Sequence, residues 1–146
     1  MLSQTAEYAL RTLVFLADRR ETPVRIDEIA AALDIPRNYL SKTLYRLAQE
    51  GLLTSTRGTG GGFRLAMPAD RIRLLTVVEL FDRIGSQRRC LLGQVVCSDQ
   101  QACPAHAAWK EVGAHIAAFF SGTTVADLAR GPEHRTRQGA RARGSG

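Results

Sequence analysis

The sequence predicts a mainly α protein, a winged helix-turn-helix with a two-stranded wing followed by a long C-terminal dimerisation helix. Three features of the chain point there. Two amphipathic segments are separated only by Asp34-Ile35-Pro36, the short turn of a helix-turn-helix. A glycine-rich run at residues 58–62 then lies between two β-compatible stretches, as in a hairpin. Basic charge concentrates in the same region: residues 36–73 hold seven Lys/Arg against two acids, while residues 1–35 hold four against six.

Residues 4–17 set Ala6, Ala9, Leu10, Leu13, Leu16 and Ala17 at helical spacing, with Ser3 as the N-cap. Ile26, Ile29, Ala30 and Leu33 mark a short second helix. A third runs from about Pro36 to Glu50, turns Leu40, Thr43, Leu44 and Leu47 to the core, and ends at Gly51. The stretches 52–56 and 63–65 form the wing. A fourth helix is expected over residues 74–84, stopped by Gly85. Residues 86–102 show no period. A longer helix begins at Pro104 and ends at Ser121-Gly122; its stripe of Trp109, Val112, Ile116, Phe119 and Phe120 is expected to be a dimer seam. Thr124 and Asp127 match a capping box that opens a last short helix. Domains are expected at 1–73 (DNA-binding), 74–130 (cofactor loop and dimerisation helices) and 131–146, a disordered basic tail with no large apolar residue. That tail either adds phosphate contacts or only solubilises the chain.

The third helix presents Asn38, Ser41, Lys42 and Tyr45 as one outward stripe flanked by Arg37 and Arg46, a mixture of base-edge hydrogen bonders and phosphate-binding cations. The wing adds Arg57 and Arg64 around glycines, including Gly60, that let the backbone come close to DNA. A winged helix can instead serve as a protein-interaction module. Nucleotide binding is not expected: a P-loop needs Gly-Lys-Ser/Thr, and Gly62 is followed by Phe63. Nor is a membrane partner, since no stretch has about 18 uninterrupted apolar residues. No Ser/His/Asp set or carboxylate pair indicates an enzyme.

Cys90, Cys97 and Cys103 are the chain's three cysteines, and His106 follows the last at i+3 near a helix start. An odd number of clustered thiols without a secretion signal points to the cytoplasm and to metal or redox chemistry. Three thiolates and an imidazole suit an iron–sulfur cluster first and zinc second, and a metal-free thiol switch is the third option. Arg88, Arg89 and the helix N-terminus are expected to favour the thiolates. The apolar residues Leu91, Leu92, Val95 and Val96 are expected to shield a bulky cofactor.

Taken together, Glu7-Tyr8-Ala9-Leu10, Pro36-Arg37-Asn38-Tyr39-Leu40, Arg57-Gly58-Thr59-Gly60-Gly61-Gly62-Phe63 and the three cysteines make the chain resemble the Rrf2 family of bacterial winged-helix regulators over residues 1–130. Residues 103–109 are similar to those of members that hold an iron–sulfur cluster with three Cys and one His. The resemblance implies a homodimeric repressor on a palindromic double-stranded DNA operator. It implies cluster ligation by Cys90, Cys97, Cys103 and His106, and puts Tyr39, Ser41, Lys42 and Arg57 at or beside DNA-contacting positions. In some members a carboxylate from the partner's first helix completes the coordination, which makes Glu7 of the partner subunit a further candidate ligand. A histidine ligand favours a [2Fe–2S] cluster; a carboxylate or open site favours [4Fe–4S]. The chain departs from those members in a first cysteine interval of six residues rather than five. It also has Ser41 where they carry a recognition-helix Glu.

Overall fold

The computed structural model describes residues 2–84 and 89–131, so the expected tail lies, from residue 132, outside the described residues. Helix α1 (Gln4–Ala17) starts where Ser3 Oγ accepts the Ala6 N–H at 3.2 Å, and it buries Ala6, Ala9, Thr12, Leu13 and Leu16. Buried Thr12 donates its hydroxyl proton to the Tyr8 carbonyl at 2.8 Å, so no polar atom is stranded. Helix α2 (Ile26–Leu33) ends at Asp34, whose φ of 52° is left-handed, a conformation a short polar side chain tolerates. Ile35 is then buried and Pro36 directs the chain into α3 (Arg37–Gln49). Leu40, Thr43, Leu44 and Leu47 form its buried face, as the spacing predicts.

Strands β1 (Leu53–Thr56) and β2 (Gly62–Leu65) pair antiparallel from Leu53↔Leu65 to Thr56↔Gly62. The connection between α1 and α2 adds a contact that the sequence pattern does not show. Val24 and Phe63 exchange both backbone hydrogen bonds at 2.8 Å, which pins the wing to the body. Gly62 makes that approach possible: with φ +146°, a Cβ there would lie 2.5 Å from the Val24 carbonyl.

After a 3₁₀ turn (Ala69–Arg71), α4 spans only Leu74–Val78, shorter than the helix expected over 74–84. Tertiary contacts override the local apolar pattern. Leu80 and Phe81 pack on the core, and Asp82 turns back so that its carboxylate accepts the Ser3 N–H at 2.8 Å. The expected stop at Gly85 lies outside the described residues. Helix α5 (His106–Gly122) begins two residues after Pro104, because Pro104 and Ala105 form a turn closed by the His106 N–H on the Cys103 carbonyl at 3.0 Å. Its far end is stitched to the head of α4: the Leu74 N–H donates to the Thr123 carbonyl, the Val125 N–H to Ile72, and Arg73 bridges Thr124. Helix α6 (Val125–Ala129) carries the expected capping box.

One core joins all of this. Leu13, Leu44, Ile72, Leu74, Val77 and Val125 belong to a single apolar cluster that crosses the expected boundary at residue 73. Helix α5 lies at the edge of this core: none of its residues is buried among the described residues, and Phe120 packs against the core cluster from outside.

Thr124→Ala removes the α6 cap and is expected to cost about 1 kcal/mol in denaturant unfolding. Backbone and hydroxyl hydrogen bonds from Thr124 hold the Asp127 carboxyl below its usual range. A depressed carboxyl contributes stability above its unfolded pKa and loses it as pH falls through the folded value. The wild type's advantage over Asp127→Asn is therefore expected in full at neutral pH and to fade in acid; a pH-independent difference would exclude the carboxylate as its source.

Candidate functional site

The segment between α4 and α5 folds its three cysteines into one cluster. Gly93, at φ +76°, reverses the chain so that its N–H donates to the Cys90 carbonyl at 3.0 Å. Cys97 follows, and buried Cys103 sits just before α5. The three Sγ atoms all lie within 4.8 Å of one another. Cys90 and Cys103 Sγ are 3.6 Å apart, beyond the ~2.05 Å of a disulfide, and all three thiols are free. His106 joins through its Nδ1, 3.2 Å from Cys97 Sγ. A cleft of about 340 Å³ opens over the group, lined in part by Leu91, Trp109 and the four candidate ligands.

The thiols differ electrostatically. Cys90 is lowered to about 7, first by the Gln94 backbone N–H and then, against the effect of burial, by the Leu92 N–H and the Cys103 and Cys97 side chains. Cys97 is raised. The Cys103 backbone N–H acts to lower it, but burial and the neighbouring Cys103 and Cys90 thiols outweigh that contribution. The sequence predicts thiolate stabilisation from Arg88, Arg89 and the helix N-terminus. Arg88 lies outside the described residues, and loop amides supply the main effect at Cys90. Loop geometry carries that signal, and composition does not reveal it.

The site also contains Asp99 and Lys110, which the sequence pattern does not single out. Asp99 Oδ1 lies 2.9 Å from His106 Nε2, and Lys110 Nζ donates to both Asp99 oxygens at 3.0 Å. The two hydrogen bonds and the Lys110 charge hold the Asp99 carboxyl below its ordinary range. The placement of Lys110 at i+4 from His106 was the available signal. The loop's apolar residues do not shield the sulfurs as expected: Leu91, Leu92 and Val96 are all more than half exposed and Val95 is 100% exposed, and of the four Leu91 lines the cleft. Glu7 is exposed on α1 and pairs with Arg11 at 3.7 Å, outside the three-sulfur group of its own chain.

The donor set is chemically coherent. Soft sulfur donors with one imidazole fit zinc or an iron–sulfur cluster, and Cys90, Cys97, Cys103 and His106 are the residues that would hold either.

The other surface is α3 with the wing. Asn38, Tyr39, Ser41, Lys42 and Tyr45 are all exposed, as are Arg57, Gly60 and Arg64. The cations divide into two kinds. Arg37 donates to Asp27 at 2.6 Å, bracing α3 against α2, and Arg46 pairs with Glu50 at 3.3 Å. Lys42, Arg57 and Arg64 have no acidic partner among the described residues. Tyr45 Oη accepts from Gln49 at 3.2 Å. On α5, Val112 and Phe119 are 44% and 54% exposed, Trp109 and Ile116 are half-buried, and Phe120 reaches the core cluster while stacking edge-on to Phe119.

Comparison with known proteins agrees with this anatomy. Residues 2–131 match the Rrf2 family model, described as an iron-dependent transcriptional regulator. An HTH-type transcriptional regulator of Aquifex aeolicus strain VF5 is 38% identical over 130 residues, covering 88% of this chain and 90% of the relative. The HTH-type transcriptional regulator IscR of Xenorhabdus nematophila is 29% identical over 133 residues, covering 90% and 80%. Among solved structures, CymR, the global cysteine regulator of B. subtilis, superposes with a TM-score of 0.76 at 25% identity, covering 88% of this chain and 95% of that one. T. potens IscR, at 22% identity, shares the fold with a TM-score of 0.71 over 89% and 86%.

In metal-free, reduced protein, alkylation of Cys90 is expected to rise with pH and reach half its maximal rate near about pH 7, while Cys97 needs a higher pH. Peptide mass spectrometry resolves the two; equal profiles would contradict the loop-amide account.

Proposed function

The chain belongs to the Rrf2 family of winged-helix transcriptional regulators, and from that premise we propose that it is an iron–sulfur-dependent homodimeric repressor. Its relatives regulate transcription and are not enzymes. The observation that carries the proposal is the meeting of three free thiols within 4.8 Å, with an imidazole nitrogen 3.2 Å from one of them. The family's iron dependence favours a cluster over zinc. In this reading Cys90, Cys97, Cys103 and His106 are the ligands, which makes [2Fe–2S] the favoured cluster. A carboxylate ligand from Glu7 of the partner subunit would favour [4Fe–4S]. When bound, such a cluster supplies iron that can be oxidised, nitrosylated or lost.

The protein's own part is mechanical. Residues 1–73 read DNA, and 74–130 sense and dimerise. A second copy is the natural cover for the stripe of Trp109, Val112, Ile116 and Phe119, which this chain leaves without a buried residue. Ordering of the cysteine loop fixes the start of α5, whose end is bonded to Leu74 beside the winged helix. Loop state thereby sets the spacing of two heads on the half-sites of a palindromic operator. Asn38, Ser41 and Tyr45 face base edges, and Lys42, Arg57 and Arg64 take phosphates or the minor groove. Among the described residues no helix is long and apolar enough to cross a membrane; the reading places the protein with DNA in the cytoplasm.

A second reading, a metal-free thiol switch, is favoured by the 3.6 Å separation of Cys90 and Cys103 Sγ. One experiment separates the two. With a duplex selected by the anaerobic protein, cluster-loaded and stripped dimers at equal salt are expected to differ at least tenfold in Kd, about 1.4 kcal/mol. Equal affinities contradict cluster control, and a change that follows oxidant in metal-free protein supports the thiol switch. Lys42→Ala is expected to weaken binding and lower the slope of log K against log salt by about 1. An unchanged slope would remove Lys42 from the phosphate contacts.

A further inference from the structure

Asp99 lies between two candidate ligands in sequence and touches a third in space. Its carboxylate has no proton to give, so the 2.9 Å contact with His106 requires Nε2 to be the donor. A neutral imidazole protonated at Nε2 has a bare Nδ1, the nitrogen 3.2 Å from Cys97 Sγ. Lys110, one turn along α5, holds both Asp99 oxygens at 3.0 Å, so the carboxylate spans the first turn of the helix. Without that brace the ring is free to turn about its Cβ–Cγ bond and offer either nitrogen to the sulfur group.

We propose that Asp99 is the positioning residue of the metal centre, holding His106 in the tautomer and orientation that make Nδ1 its ligating atom, with Lys110 fixing Asp99 in place. The proposal rests on the reading that His106 completes the thiolate set. A ligating histidine commonly donates its other ring N–H to a carboxylate, and loss of that partner weakens metal binding about 10–100-fold. Asp99 and Lys110 side chains are 67% and 65% exposed, so their ion pair adds little to global stability, whereas His106 is 18% exposed and its orientation is confined. Asp99→Ala is therefore expected to fold like the wild type, which circular dichroism and a melting curve verify.

The test uses the full chain in two states. In metal-free protein, long-range ¹H–¹⁵N NMR is expected to show His106 protonated at Nε2 and bare at Nδ1. Asp99→Ala should give mixed tautomers, and Asp99→Asn, whose carbonyl still accepts, should keep the wild-type pattern. After anaerobic loading with iron and sulfide, Asp99→Ala should lose metal to a chelator about 10–100-fold more readily and show a shifted visible spectrum, with Asp99→Asn close to the wild type. A wild-type tautomer and wild-type retention in Asp99→Ala overturn the proposal. If His106→Ala alters retention and spectrum while Asp99→Ala does not, the proposal alone falls. If His106→Ala changes neither, the ligand assignment falls and takes the proposal with it.

Discussion

Three sulfur atoms within 4.8 Å of one another are the constraint on which the sensing half of this molecule depends. Thiols at that range cannot all ionise without mutual repulsion, and the loop answers by splitting them. Cys90 is drawn towards thiolate by the amides of Gln94 and Leu92, while Cys97 is held as a thiol beside His106. A cation placed among the sulfurs would remove the repulsion, and metal-ligand free energy would then order a loop that brings few buried apolar side chains of its own. Its apolar residues Leu91, Leu92, Val95 and Val96 are all more than half exposed. Loop order in this molecule is therefore a matter of coordination more than of packing.

The opposite holds for the winged helix. Its elements share one apolar core, in which α1 packs against α2, α3, α4, α6 and β2. The wing is tied down by Val24 and permitted that contact by Gly62. The α2–α3 angle is braced by Asp27 and Arg37. Helix α5 links the two regimes: its first turn holds His106 and Lys110 against the cysteine loop, and its last residues are hydrogen-bonded to the start of α4. A small shift at the loop thus acts on a lever whose far end is fixed to the DNA-reading body.

The parts of the fold that were legible in sequence are those written in local chemistry. Ser3 as a cap, the α3 core face, the glycine-rich hairpin tip and the Thr124–Asp127 box each follow from side chains within a turn or two of their partners. The cysteine cluster was legible by ligand type: the three sulfurs lie within 4.8 Å of one another, and His106 Nδ1 lies 3.2 Å from one of them, Cys97 Sγ. What was missed is non-local. The end of α4 depends on Asp82 meeting Ser3, 79 residues away, and the third wing contact depends on Val24, far from β2 in sequence. Asp99 reads as an ordinary loop acid until α5 places His106 and Lys110 on either side of it. Phe120 matches the period of an exposed seam yet also reaches the core, because the stitched end of α5 pulls it inward.

The most direct measurement is the inorganic content of the chain isolated and kept without oxygen: iron, zinc and acid-labile sulfide per polypeptide, for the wild type and for Cys103→Ala. The account predicts iron and sulfide in a one-to-one ratio in the wild type and neither in the variant. Stoichiometric zinc without labile sulfide would contradict it and leave a DNA-binding regulator with a structural metal.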